Sequence, residues 1–277
     1  MIKYVNFWLL VFILIVSLQI NAKADSNFNE FFNKGRFIAD KFVDSVTNNE
    51  IEVDNEQMIN TLENLPTYDL LILRNTFFAK HGYIFKTSEL KEYFLKKLWY
   101  ILQAKEVALS AKEKKFVSLI RTIETGENVN FDEFRKLFTP LYLPFTYEET
   151  FKRNPIDLIM VRKYFKHGAN RYIPYVAIGE LYKNNKFIVL IYEISSLETQ
   201  VGVAIFSLDG NLISDKIFIT FGDSLIYSIS GELFIDEDLK IHVEIKESSF
   251  DSDDKEIIKN SNEKYRIDLN GKITKIS

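Results

Sequence analysis

Lys186-Phe187-Ile188-Val189-Leu190-Ile191-Tyr192-Glu193-Ile194 and Val201-Gly202-Val203-Ala204-Ile205-Phe206-Ser207-Leu208, the latter followed by Asp209-Gly210, decide how the second half of the chain folds. Both runs are short and rich in Ile, Val, Tyr and Phe, which suit a pleated, partly buried surface, so each predicts a β-strand. The pattern continues outward through Tyr172 to Tyr182, Leu212 to Phe221, Leu225 to Ile235, Lys240 to Lys246, Lys264 to Leu269 and Lys272 to Ile276. Asn184-Asn185, Asp209-Gly210 and Asn270-Gly271 separate members of this set, and each dipeptide suits the positive φ angles of a two-residue hairpin turn. Consecutive hairpins predict an antiparallel meander, closed as a barrel or folded as a small sandwich. Ser248 to Asn262 is acidic and polar and reads as a mobile loop.

Upstream the period changes from two to between three and four. Phe28, Phe31, Phe32, Ile38, Phe42, Val43 and Val46 predict a helix with one buried face, bent or split at Gly35. A short helix follows from Glu56 to Leu65, ending at Pro66. From Thr67 as N-cap, with Asp69 in the first turn, an apolar stripe of Leu70, Leu73, Phe77 and Phe78 marks another helix. Lys80 and His81 favour its negative end, and Gly82 supplies the left-handed closing residue. Ser88 to Lys97 predicts a further helix presenting Leu90, Phe94 and Leu98 to the core. A third helix of this module opens at Ser110, in capping-box spacing with Glu113, and buries Phe116, Val117, Ile120 and Ile123. Residues 126–155, with Gly126, Asn128, Asn130, Pro140, Pro144 and Pro155, read as a connection carrying a short helix around Asp132 to Phe138. The expected organisation is a helical segment at 25–64, a helical module at 65–125, a linker at 126–155 and an antiparallel β domain at 156–277, an α+β chain.

The N-terminus reads as an export signal. Lys3 supplies positive charge, Leu9 to Ile20 an apolar run, and Ala22-Lys23-Ala24 small residues for cleavage before Asp25. A run of about a dozen apolar residues falls short of the roughly 20 that a membrane-spanning helix needs, so no transmembrane segment is expected after cleavage. With no cysteine, the chain has neither a disulfide nor a thiol to acylate. Loss of residues 1–24 removes two lysines and no acid, so 35 basic against 39 acidic residues become 33 against 39, a net charge of −6. That sign argues against nucleic acid and anionic membrane surfaces as partners. At 277 residues, 47% of them hydrophobic and 14% aromatic, the chain can bury two cores in which large rings dominate.

The stretch Leu73-Arg74-Asn75-Thr76-Phe77-Phe78-Ala79-Lys80-His81-Gly82-Tyr83-Ile84-Phe85 resembles the signature of the YARHG domain, whose centre here reads Phe78-Ala79-Lys80-His81-Gly82. Leu90, Tyr93-Phe94, Trp99-Tyr100, Leu109, Glu113 and Leu119-Ile120 match further pieces in order, over about residues 65–122. Phe78 replaces the family's Tyr, Lys80 its Arg, and Phe116 an Asn of the last helix. The resemblance implies a three-helix extracellular or periplasmic bacterial module without an established activity. It marks Arg74, Asn75, Phe78, Lys80, His81, Gly82, Tyr83, Trp99, Tyr100 and Glu113 as motif residues, either structural or in contact with a ligand.

Each chemical reading has a structural counterpart. His81 suits a general base or ligand contact, since imidazole titrates near neutral pH, but its spacing equally makes it a helix-terminal cation bonded to carbonyls or to a carboxylate such as Glu113. Arg74 and Asn75 are expected to bond across to the third helix and fix docking. Tyr83, Phe85, Tyr93, Phe94, Trp99 and Tyr100 suit a platform for wall sugars or, more simply, a core. Asp157 to Arg162 with Lys166-His167-Gly168 echoes Asp69 to Arg74 with Lys80-His81-Gly82, at a spacing that differs by two and with no counterpart of Trp99-Tyr100. Asp251, Asp253 and Asp254 lack the calcium-loop glycine, Glu256 standing in its place and Asn262 where a bidentate Glu belongs. His242 has no nucleophile paired with it in sequence. Catalytic signatures and cysteine ligands are absent, so no catalytic residue, metal site or cofactor is expected. The leading expectation is a secreted or periplasmic envelope protein that binds a cell-wall component or another exported protein. The alternative is a wall hydrolase acting through carboxylates or His81, and a third reading, an assembly protein, needs an exposed edge strand.

Overall fold

The computed structural model describes residues 32–33, 36–52, 55–148, 150–165, 173–195, 198–223, 227–250 and 256–276. The expected export signal, Phe28, Phe31, Lys166-His167-Gly168 and Asp251 to Asp254 lie outside them. The chain forms two compact units, up to Glu124 and from Thr125 onward. Among the described residues no helix is long and apolar enough to cross a membrane.

In the first unit, Phe32–Asn33 (β1) and Arg36–Phe37 (β2) pair antiparallel, so the helix expected from Phe28 begins later, at Ala39–Thr47 (α1). Gly35 lies between the two strands in sequence, and glycine costs a helix about 1 kcal/mol relative to alanine. Glu56–Glu63 (α2) is capped by Asn55, whose side chain accepts the Met58 N–H. Thr67–Lys80 (α3) has Pro66 at its N-cap, which makes Thr67 the first helical residue instead of the cap. Ser88–Leu95 (α4) and Ala111–Thr125 (α5) complete the unit. Phe42, Val46, Met58, Leu62, Leu70, Leu73, Phe77, Phe116 and Ile120 are fully buried. Leu98, expected in the core, is fully exposed, because α4 ends at Leu95 and its period stops there.

The second unit opens with the stretch expected to be a linker. Its residues form Phe131–Arg135 (α6) and three short strands, Thr139–Pro140 (β3), Phe145–Thr146 (β4) and Asn154–Ile156 (β5), all hydrogen-bonded into the main sheet. After Leu158–Tyr164 (α7) come Tyr175–Lys183 (β6), Phe187–Ser195 (β7), Thr199–Ser207 (β8), Leu212–Asp223 (β9), Tyr227–Ile235 (β10), Lys240–Phe250 (β11), Glu256–Ile267 (β12) and Ile273–Ile276 (β13). β6 to β13 pair in sequence order as an antiparallel meander, and β3 adds in parallel beside β6. Gly210 and Gly271 hold φ of 86° and 77° in their expected turns. β9 and β10 share only a short ladder at Gly222–Asp223, while the far end of β10 pairs with β4. The path therefore bends there, and β6–β9 and β10–β12 face one core of Ile178, Val189, Ile191, Val203, Leu233, Ile241 and Val243. The stretch that carries β3 and β4 bonds β6 at one end and β10 at the other, while among the described residues no strand pair joins β13 to β3 or β6. The other face of β6–β8 is also buried, under Phe134 and Phe138 from the α6 region and Val161, Tyr164 and Phe165 from α7.

Of the loop expected at Ser248 to Asn262, the described residues 248–250 and 256–262 are paired strand instead, a two-stranded arm. β11 and β12 stay in register from Lys240↔Arg266 to Phe250↔Glu256. Glu256 to Asn262 are exposed, so main-chain ladder bonds and cross-strand pairs such as Glu247↔Lys259 carry the arm, without an apolar face to signal it.

Candidate functional site

The motif residues converge at the C-terminal end of α3. His81 is the C-cap and Gly82 takes φ 75°. The Tyr83 N–H donates to the Phe78 carbonyl and the Gly82 N–H to that of Ala79, the paired bonds of a Schellman closure. A Cβ on Gly82 would stand 2.8 Å from the Ile101 carbonyl oxygen and from Gln103 Cβ, against a segment whose Gln103 and Ala104 N–H groups donate to the Gly82 carbonyl. Gly82→Ala is therefore expected to cost about 2 kcal/mol, combining left-handed strain with overpacking. A thermal melt followed by circular dichroism checks it, and an unchanged midpoint refutes the close approach.

From this end the polar side chains reach outward within the unit. His81 Nε2 lies 2.8 Å from Glu113 Oε1, an ion pair only when the imidazole is protonated. The other Glu113 oxygen accepts the Ser110 N–H at 2.7 Å, while the Glu113 N–H donates to Ser110 Oγ at 3.2 Å, completing the expected capping box. Lys80 Nζ lies 2.5 Å from Asp44 Oδ1 and 4.5 Å from the centre of the Trp99 ring. The Trp99 indole N–H donates to Asp40, so Lys80 and Trp99 together fasten α1. Arg74 crosses to Glu124 at 3.0 Å, near the end of α5. Asn75 does not cross. Its shorter amide donates to the Leu71 carbonyl of its own helix at 2.7 Å.

The rings form a core. Phe85, Phe94 and Tyr100 are buried, with Phe78, Tyr83, Tyr93 and Trp99 packed around them. Tyr100 Oη donates to the Tyr83 carbonyl, and Phe85 stacks on Phe94 with centroids 4.8 Å apart. Phe78, Tyr83, Tyr93 and Trp99 stay partly exposed at the rim of this core.

Burial pushes the Glu113 carboxyl up, but the hydrogen bonds from His81 and Ser110 outweigh it and hold the group below its ordinary value. As pH falls, the unfolded chain takes up that proton first. The stabilisation is thus complete above the usual carboxylate pKa of about 4.3 and is lost progressively below it. Glu113→Gln keeps a capping-box acceptor and loses the charge, so it is expected to cost about 1–2 kcal/mol near neutrality. Urea midpoints of both chains should converge in acid, and a pH-independent difference would contradict this assignment.

Sequence reasoning missed three features. The partners Asp40, Asp44 and Glu124 lie outside the motif and carry no pattern of their own. In the second unit, Glu193 is 3% exposed and accepts from Tyr147 Oη at 2.8 Å, Arg153 Nε at 3.0 Å and Ser195 Oγ at 2.8 Å. This carboxylate pins Tyr147 and Arg153 to the sheet; burial, with the Glu193 hydrogen bond, pushes the Tyr147 hydroxyl above the usual tyrosine range. The third feature is a groove of about 390 Å³ lined by Phe78, Val107, Leu109, Lys114, Ser118 and Arg121, with Ala108 and Val117 completing it. His81 does not line this groove. Among the described residues no three His, Asp or Glu side chains converge as metal ligands.

No curated protein and no solved structure matches the chain. The family model of the YARHG domain matches residues 46–125, from the end of α1 to the end of α5, a span that includes Arg74 and its partner Glu124 but not Asp40 and Asp44, the α1 partners of Trp99 and Lys80.

Proposed function

We propose that the chain is an exported cell-envelope protein, with residues 1–24 as a leader cut after Ala24, whose helical module binds a cell-wall component or another exported protein without catalysing a reaction. The observation that carries this reading is that Arg74, Lys80, His81 and Trp99 each take a partner inside their own unit, which supports a motif that fastens helices and is not spent on chemistry. The β unit and the module are then separate folded parts of an envelope protein with no use for nucleic acid. The test incubates the full chain with purified cell wall and, separately, with envelope extract. Saturable retention by one of them supports the reading, and retention by neither overturns it.

One observation favours a wall hydrolase instead. The His81 side chain is 40% exposed while the carboxylate that orients it is buried, the relation a general base requires. Release of soluble glycan or peptide from purified wall, abolished by His81→Ala, would establish that alternative.

A further inference from the structure

The groove beside α5 has three properties that belong together. Lys114, Ser118 and Arg121 follow one another at four- and three-residue steps, so they form a stripe along one wall, with Lys114 and Arg121 about 10 Å apart along the axis. Both cations are exposed, and neither has an ion-pair partner among the described residues. The floor is apolar, made by Phe78, Val117 and Leu109, the last two buried. The facing wall is Val107–Leu109, whose main-chain N–H and C=O groups make no hydrogen bond among the described residues.

Unpaired main chain along one wall asks for another main chain. An apolar floor asks for apolar side chains, and two separated cations ask for two anions. A neutral glycan satisfies only the first of these in part, and a phosphate polymer has no side chains for the floor. We propose that this groove binds an acidic peptide in extended conformation, its main chain along Val107–Leu109 and two carboxylates at Lys114 and Arg121. The assignment deepens the binding-module reading and rests on it. The negative net charge of the chain opposes an extended polyanion or a charged surface more than a short peptide, whose two carboxylates meet two local cations within the screening length of about 8 Å.

The probe is a fluorescein-labelled, end-capped Glu-Ala-Val-Ala-Glu peptide, whose two carboxylates share one face of an extended chain with the valine between them and stand about 13 Å apart, within reach of the two long cationic side chains. Titration with the full chain, read by fluorescence anisotropy, should saturate and weaken as salt rises. Affinity should fall about tenfold or more for Gln-Ala-Val-Ala-Gln, and as much in the double variant Lys114→Glu, Arg121→Glu. Ala108→Trp, which fills the groove without changing charge, should abolish binding while circular dichroism shows the fold intact. Equal affinity for the two peptides, unchanged affinity in the charge-reversed chain, or binding of an N-acetylglucosamine oligomer in place of the acidic peptide overturns the proposal. Undiminished retention of the charge-reversed chain by wall or extract would leave the module reading standing and remove the groove from it.

Discussion

Phe116→Asn, which restores the residue type of the YARHG resemblance, is expected to destabilise the helical module by about 4–8 kcal/mol. Phe116 is fully buried, with its ring 6.0 Å from that of Phe42 on α1 and 6.1 Å from that of Phe77 on α3. Removing the ring forfeits about 3–5 kcal/mol of transfer and packing, and a buried amide adds about 1–3 kcal/mol if it finds no partner. Since domains are stable by only about 5–15 kcal/mol, the substitution takes much of the reserve. Besides Trp8, within the expected leader, the chain has a single other Trp, Trp99, which sits in this unit. Its fluorescence during urea unfolding therefore reports on the module, and a midpoint equal to that of the parent would show that the ring is not a keystone of the core.

Phe134→Ala is expected to cost the second unit about 3–5 kcal/mol. This residue belongs to α6, in the stretch whose composition reads as a linker, yet it is fully buried. Its ring lies 4.4 Å from that of Tyr164, 5.1 Å from Phe138 and 5.8 Å from Phe206, and so joins α6, α7 and β8. Far-UV circular dichroism of the sheet during urea unfolding measures the loss. A shift smaller than about 1 kcal/mol would mean that residues 126–155 lie on the sheet without supporting it.

What was legible in the residues is what is local. The Ser110–Glu113 box, the closure at Gly82 and the Asp209-Gly210 and Asn270-Gly271 turns each depend on a few neighbouring positions, and each formed where its spacing placed it. The strands of the meander were legible from composition, although β7 also carries a continuous apolar run that signals burial on both faces. Features without a period were hidden. β3, β4 and β5 are two or three residues long, and β3 and β5 contain Pro140 and Pro155, which belong at sheet edges as readily as in loops. The β11–β12 arm has no buried face beyond the core, so its strands looked like solvent-exposed loop. Arg74 was legible as a bridge, but Asn75 was misjudged because reach, and not polarity, separates a cross-helix bond from one to the helix's own carbonyl. The groove had no signal at all: Lys114, Ser118 and Arg121 are what any solvated helix face displays, and their meaning comes from residues 78 and 107–109 lying opposite.

Strand β7 has a final consequence for the dynamics of its unit. It is laddered to β6 and β8 along its length and covered by apolar layers above and below, with residues 187–194 all buried. Neither layer can peel away without uncovering it. Its central amides must then exchange with deuterium only when the entire unit opens, whereas the exposed ladder pairs Glu247↔Lys259 and Ser248↔Ile258 can open and close many times in the same interval.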